Sequence, residues 1–219
     1  MGEDKQRTSK SDRTKAKIFE MAWNLFKERG FDNVSLQDIA DHTGTAKGSF
    51  YTYFSTKSDI IVEGFWMIDG YYQSIKNEVQ RQRNAKEKLL RFTALQLTYV
   101  RDEIGVDMLK ILYANQVLQQ GSDKVITDPT RFWHTYIHSI IEEGQINGEC
   151  KTDLSAEQYA QFFNRAIRGL FLDWNISSAS FNLVEEGITY CKKFILPTLL
   201  TDDFLKYTQS ESFKKTSLV

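Results

Sequence analysis

Only two prolines, Pro129 and Pro197, interrupt the 219 residues, and that scarcity constrains the fold more than any other feature. A sheet-built chain turns often, and its turns draw on proline and on Asn-Gly or Asp-Gly pairs between alternating strands. No such pattern recurs here. Apolar residues instead return every three or four positions, the spacing that gathers them on one face of a helix. Ile18, Phe19, Ala22, Leu25 and Phe26 form one such face and Gly30 closes it, so a helix is expected from Thr14 to about Arg29. Ser35 with Asp38 three residues on reads as a capping box, opening a short helix that ends near His42. After Lys57, the series Ile60, Ile61, Phe65, Ile68, Tyr72, Ile75 and Val79 describes a long amphipathic helix reaching about Arg83. Further helices are expected at about 85–102, 105–119, 129–147, 155–177 and 182–205. Asp128 would cap one of them with Pro129 at its first position, Ser155 and Gln158 would box the start of another, and Pro197 should kink or end the last. The chain is read as all-α, with about nine helices and no strands.

The hydrophobic content of 41% and aromatic content of 13% suffice for a buried core, and the length allows one large or two unequal domains. Cys150 and Cys191 are too few and too far apart for a disulfide framework or a zinc site, which fits a reducing compartment. No apolar run follows the N-terminal charges, and no stretch approaches about 18 consecutive apolar residues. A cytoplasmic protein without a membrane partner is expected. The net charge of -1 tells against coating nucleic acid through global charge. Locally the balance differs: Lys5, Arg7, Lys10, Arg13, Lys15 and Lys17 face only Asp12, so the chain opens with a basic arm, residues 1–12, or with a solvated tail.

The stretch SLQDIADHTGTAKGSFYTYFSTK, residues 35–57, has the ingredients of a helix-turn-helix. Such a motif needs a small residue where the helices cross, a residue tolerant of positive φ in the turn and an apolar residue that pins the second helix. Ala40, Gly44 and Phe50 occupy those places, and Ile39 and Phe54 complete the apolar contacts. Thr45, Ala46, Lys47, Gly48, Ser49, Tyr51, Thr52 and Tyr53 are left outward on a helix of only two turns, too short to stand alone. Small residues let such a helix sit deep in the major groove, Lys47 can donate to guanine or phosphate, and the hydroxyls suit bases or backbone. The same spacing also fits an exposed polar helix-loop element with no partner.

The segment TKAKIFEMAWNLFKERGFDNVSLQDIADHTGTAKGSFYTYFSTKSDII, residues 14–61, resembles the N-terminal DNA-binding domain of the TetR family of transcriptional regulators. The likeness includes Gly30-Phe31, Val34-Ser35-Leu36, Ile39-Ala40, Gly44, the run from Lys47 to Phe54, and Lys57. It implies a helix-turn-helix domain over 13–58, a helical effector-binding and dimerisation domain over 59–205, and a polar tail over 206–219. It further implies that Ser35 and Tyr53 meet phosphates of a double-stranded operator. Thr45, Lys47, Gly48, Ser49, Tyr51 and Thr52 would face the groove or its walls, and Lys57 would bind backbone phosphate. Arg13 and Lys15 could reach an adjacent minor groove. Phe50 replaces the commoner aliphatic residue.

One reading helix offers few base contacts, and two-fold dimers on paired half-sites supply the rest. Tyr159, Phe162, Phe163, Ala166, Ile167, Leu170, Phe171 and Trp174 keep helical spacing, and Val184, Gly187, Ile188, Cys191, Phe194, Ile195 and Leu199 form a second stripe. Both could simply enter the core of one chain. The segment GECKTDLSAEQYAQFFNRAIRGLFLDW, however, resembles the family's penultimate helix and its lead-in. That implies a homodimer in which the last two helices pair with their symmetry mates through Phe162, Ala166, Gly169, Leu170, Trp174, Ile188, Cys191 and Ile195. Gly169 would permit close approach and Trp174 would fill the seam. The resemblance also implies a pocket for a hydrophobic small-molecule effector, with Trp66, Gln96, Tyr99, Tyr113, Trp133 and Phe163 as its candidates among aromatics that are mostly ordinary core.

His134, His138 and Glu142 share a helical face, but no further metal ligand accompanies them, and a surface or core pair is the simpler reading. No catalytic or cofactor motif is present, so neither an enzyme nor a bound cofactor is expected. The leading reading is a ligand-responsive homodimeric repressor on a palindromic operator. The other is a DNA-bound adaptor or architectural protein acting through a protein partner without a small-molecule effector.

Overall fold

A computed structural model describes residues 10–118 and 124–208; Lys5 and Arg7 of the expected arm and the tail beyond residue 208 lie outside them. The helices are α1 (Lys10–Arg29), α2 (Leu36–Thr43), α3 (Lys47–Phe50), α4 (Lys57–Gln80), α5 (Ala85–Tyr99), α6 (Gly105–Leu118), α7 (Phe132–Ile146), α8 (Ala156–Ile176), α9 (Leu183–Tyr190) and α10 (Leu196–Leu199). Residues 202–208 are helical as well. Among the described residues there is no strand, only one isolated antiparallel bridge between Cys150 and Leu200. The fold is all-α.

Local chemistry explains most boundaries. Ser35 and Asp38 form the expected capping box, as do Ser155 and Gln158. Gly30, at φ 79°, closes α1 by returning its N–H to Phe26 O at 3.0 Å. Several boundaries depart from the periodicity: α1 begins at Lys10, within the expected arm, rather than at Thr14, and α5 gives way to a π-helical turn at Val100–Ile104. The helix expected from Pro129 begins at Phe132, because the Asp128 carboxylate takes the Thr130 N–H and hydroxyl at 2.8 and 2.7 Å and closes a side-chain turn instead. The helix expected over 182–205 widens into a π-helical turn at Cys191–Ile195 and ends at Leu199. Pro197 has no N–H to give and its ring crowds the carbonyl four residues back, which the wider turn accommodates. The second helix of the expected helix-turn-helix, α3, has four residues rather than two full turns.

The described residues form two compact units. One comprises those within Met1–Met67 and Asp107–Gly121. Its core gathers Ile18, Ala22, Leu25 and Phe26 of α1, Val34, Ile39, Phe50, Phe54, and Ile60 and Ile61 of α4, all buried. Gly64 admits the Trp23 ring against α4: a Cβ there would stand 2.1 Å from it.

The other unit comprises the described residues of Ile68–Val106 and Ser122–Val219. Leu89, Phe92 and Leu97 of α5, Ile137, Ile140 and Ile141 of α7, and Phe163 and Ile167 of α8 are closed off from solvent. Tyr72, Phe92, Tyr136 and Phe132 form a chain of ring contacts with centroids 5.2–5.4 Å apart. Two cations are buried with partners: Lys88 Nζ donates to both oxygens of Glu143 at 2.7 Å, and Arg131 makes a two-pronged contact to Asp69 at 2.9 Å.

Candidate nucleic-acid interface

The interface is built by a turn and its supports. Gly44 adopts φ 66° at the end of α2 and returns its N–H to Ala40 and Asp41 carbonyls, a left-handed conformation that costs a Cβ-bearing residue more. The Thr43 hydroxyl bonds Ile39 O at 2.8 Å and meets the Thr45 hydroxyl at 2.7 Å. Lys17 reaches across from α1 to donate to Thr43 O at 2.6 Å, placing a cation at the C-terminal end of α2. The chain then enters α3, which is held by Phe50 at 2% exposure and Phe54 at 3%. Their rings lie 5.6 Å apart.

This support leaves Ala46, Lys47, Gly48, Tyr51 and Thr52 exposed, with Tyr51 at 56%. Thr45, Ser49 and Tyr53 are half-buried, and Tyr53 accepts a bond from Ser11 Oγ at 3.4 Å. The surface therefore offers an ammonium, a hydroxyl, a phenol and a bare glycine backbone side by side. Such groups can donate to phosphate oxygens and to acceptors on base edges.

Other expected contacts carry structural duties. Ser35 Oγ donates to Asp38 Oδ2 at 2.5 Å and accepts from Asp38 N at 3.1 Å, and these bonds hold the Asp38 carboxyl below its ordinary pKa. Lys57 Nζ donates to Phe31 O at 2.6 Å and Val34 O at 2.8 Å and lies 4.1 Å from the centre of the Phe31 ring. Its partial burial lowers its pKa. Lys57 ties down the turn between α1 and α2, and only its third proton remains for a phosphate. Lys15 pairs with Glu63 at 2.6 Å, while Arg13 is exposed. The sequence reading overlooked the role of Lys17 and the contact of Thr56 with Asp59, in which the Thr56 N–H and hydroxyl each donate to that carboxylate at 2.8 Å. The spacing in TKSD is the same as in SLQD and was legible.

The remaining candidates divide between the units. Trp66, 44% exposed, and half-buried Tyr113 belong to the first. Gln96, Trp133 and Phe163 are buried in the second, where Tyr99 stacks on Tyr71 at 4.0 Å. Trp174, Cys191 and Ile195 are buried within their own chain, and Trp174 Nε1 donates to Phe181 O at 3.2 Å. The apolar stripe of α8 is wide enough to serve two faces, and spacing alone does not separate them. Phe162 and Gly169 are exposed, and Ala166, Leu170 and Ile188 half-buried. A cavity of about 210 Å³ beside them is lined by Phe162, Ala166, Tyr190 and Phe194, of which Phe194 is 66% exposed.

Residues 18–63 match the family model described as bacterial regulatory proteins, tetR family. The chain is 23% identical over 171 residues to the fatty acid metabolism regulator protein of Bacillus subtilis, covering 76% of this chain and 86% of that protein. It is 27% identical over 161 residues to the transcriptional repressor KstR2 of Rhodococcus jostii, covering 71% and 76%. Among solved structures it resembles FadR of Thermus thermophilus in complex with lauroyl-CoA, with a TM-score of 0.68 and 18% identity over 83% of this chain and 93% of that one.

Proposed function

We propose that this chain, whose residues 18–63 match the model of the tetR family of bacterial regulatory proteins, is a ligand-responsive transcriptional repressor of that family, working as a homodimer on a palindromic operator. The observation that carries this reading is the exposure of Lys47, Gly48, Tyr51 and Thr52 on a one-turn helix braced by Phe50 and Phe54. A helix that short adds no stability of its own. Its worth lies in what it presents, and the major groove is wide enough to admit it. In this reading residues 13–58 bind DNA with Arg13 reaching the minor groove, and residues 59–205 bind effector and dimerise.

One copy reads one half-site, so a two-fold partner supplies the other. The exposed Phe162, Tyr190 and Phe194, with Ala166 and Gly169 between them, are the surface proposed for it. Support for an apolar effector comes from the buried aromatic interior of the second unit and from the Thermus relative, solved with lauroyl-CoA. Gln96, Tyr99, Trp133 and Phe163 are its proposed lining. An effector that prefers a conformation with a different spacing of reading heads would release the operator.

Selection of bound sequences from random duplexes, followed by weighing the complex by sedimentation, tests the reading. An inverted repeat carrying two copies of the chain is expected. A protein that selects no sequence and stays monomeric at moderate salt would overturn it.

A further inference from the structure

Among the described residues of the second unit, four buried side-chain atoms have no hydrogen-bond partner: Thr93 Oγ1, Gln96 Oε1, and both Nδ2 and Oδ1 of Asn164. Thr93 and Asn164 are 0% exposed and Gln96 1%. Buried polar atoms are nearly always paired, since an orphan has given up its water for nothing. Asn164 is the extreme case, an amide able to donate twice and accept twice. The Thr93 hydroxyl faces the Cys191 thiol, whose sulfur is a weak partner at best.

Helix register brings these residues to one level. Between α5 and α7, Lys88 meets Glu143 and Phe92 meets Tyr136, so the two run antiparallel. Between α7 and α8, Arg168 lies over the Trp133 ring at 5.9 Å. One turn from each of those, Asn164 comes level with Ile137, one residue's rise from Tyr136 and thus from the level of Phe92 and Thr93. A second route agrees. A Cβ on Gly187 of α9 would strike Leu97 of α5 and Leu170 of α8; one turn along, Cys191 faces Thr93, and the matching turn of α8 is Ala166, two residues from Asn164. Gln96 sits three residues from Thr93, on the same side of α5. Phe92, Ile137, Ile140, Phe163 and Ile167, none above 1% exposed, make the surroundings apolar.

We infer that Asn164, Gln96 and Thr93 form the polar end of the effector site, and that its ligand is a neutral amphiphile: an apolar body with an uncharged amide, carbonyl or hydroxyl head. The inference rests on the ligand-responsive reading above and adds the chemistry of the head. The buried ammonium and guanidinium of this unit, Lys88 and Arg131, are already matched by Glu143 and Asp69. Burial holds His134 toward its neutral form. A charged head drawn to this level would lose its hydration with no buried counter-charge to replace it, whereas a head with one donor and one acceptor complements the Asn164 amide and the Gln96 carbonyl.

The test uses the full chain, its N164L and Q96M variants, and three probes with one alkyl tail: decanamide, decanol and decanoate. Decanamide in saturating excess is expected to raise the melting temperature of the parent chain by about 5 °C, decanol by a similar amount, and decanoate at neutral pH by less than about 1 °C. Replacing an orphaned buried amide with an apolar group of similar size leaves stability unchanged or improved, so N164L should melt at or above the parent while losing most of the decanamide shift; Q96M also gives up the hydrogen bond to the buried Tyr72 phenol and should melt slightly lower while losing most of the same shift. The inference falls if both variants melt well below the parent without ligand, which would mean that the polar groups are paired inside the fold, for instance by buried water. It also falls if decanoate stabilises as well as decanamide, or if no probe stabilises the parent. An Asn164-dependent shift with selected duplex still bound would remove the release mechanism and leave the site standing. Equal shifts in parent and variants would remove the site and leave the mechanism untouched.

Discussion

Lys47 and Lys57 stand ten positions apart in one motif, and their surroundings set them to different work. Lys47 lies exposed on α3, whereas Lys57 donates to the carbonyls of Phe31 and Val34. Lys47→Ala should weaken binding to a selected duplex by about tenfold or more, as expected for a lost base or phosphate donor, and leave the melting temperature unchanged. Lys57→Met should do the reverse first. It removes two charge-assisted bonds and a contact with the Phe31 ring, at a cost of about 1 kcal/mol given the residue's partial exposure, and thermal unfolding should register a drop of a few degrees. Equal loss of duplex affinity with no change in melting would show that phosphate contact dominates at Lys57. The sequence placed both lysines near the reading helix. It did not separate them, because the carbonyls that hold Lys57 lie 26 and 23 residues away along the chain.

Helix ends were readable wherever the cap is local. The Ser35–Asp38 and Ser155–Gln158 boxes need only a few consecutive residues and were legible, while α7 was misplaced because Asp128 closes a turn with Thr130 ahead of it and its cap comes from elsewhere. Arg131 at its N-terminus makes no side-chain cap. Asp69 of α4 takes that place: its Oδ2 accepts the Phe132 N–H at 3.4 Å while the same carboxylate binds Arg131. Movement of this part of α4 thus costs a buried ion pair and a helix cap together. Asp69→Asn should destabilise the chain by on the order of 2–3 kcal/mol, since it leaves the guanidinium buried without its counter-charge. Urea unfolding should show a lower midpoint at an unchanged slope; an unaltered midpoint would mean that the pair is not holding α4 to α7.

For the whole molecule, the proposed assembly depends on apolar area that one chain leaves uncovered. Phe162 at 50% and Phe194 at 66% exposure stand on α8 and on the turn after α9. A single Phe162→Glu change, which would bury a charge at a two-fold contact twice over, should shift the sedimenting species to monomer and abolish binding to a palindromic duplex, while a lone half-site stays weakly bound. An undisturbed dimer would move the interface elsewhere. The sequence by itself determined the all-helical class, the turn at Gly44 and the outward set on α3, because helix periodicity, caps and left-handed turns depend on neighbours within about one turn. Only the tertiary structure decided which half of each apolar stripe faces inward, which lysines are tied to distant carbonyls, and which amides are stranded in the core. Those outcomes depend on what a second element, far off in sequence, brings to the same place.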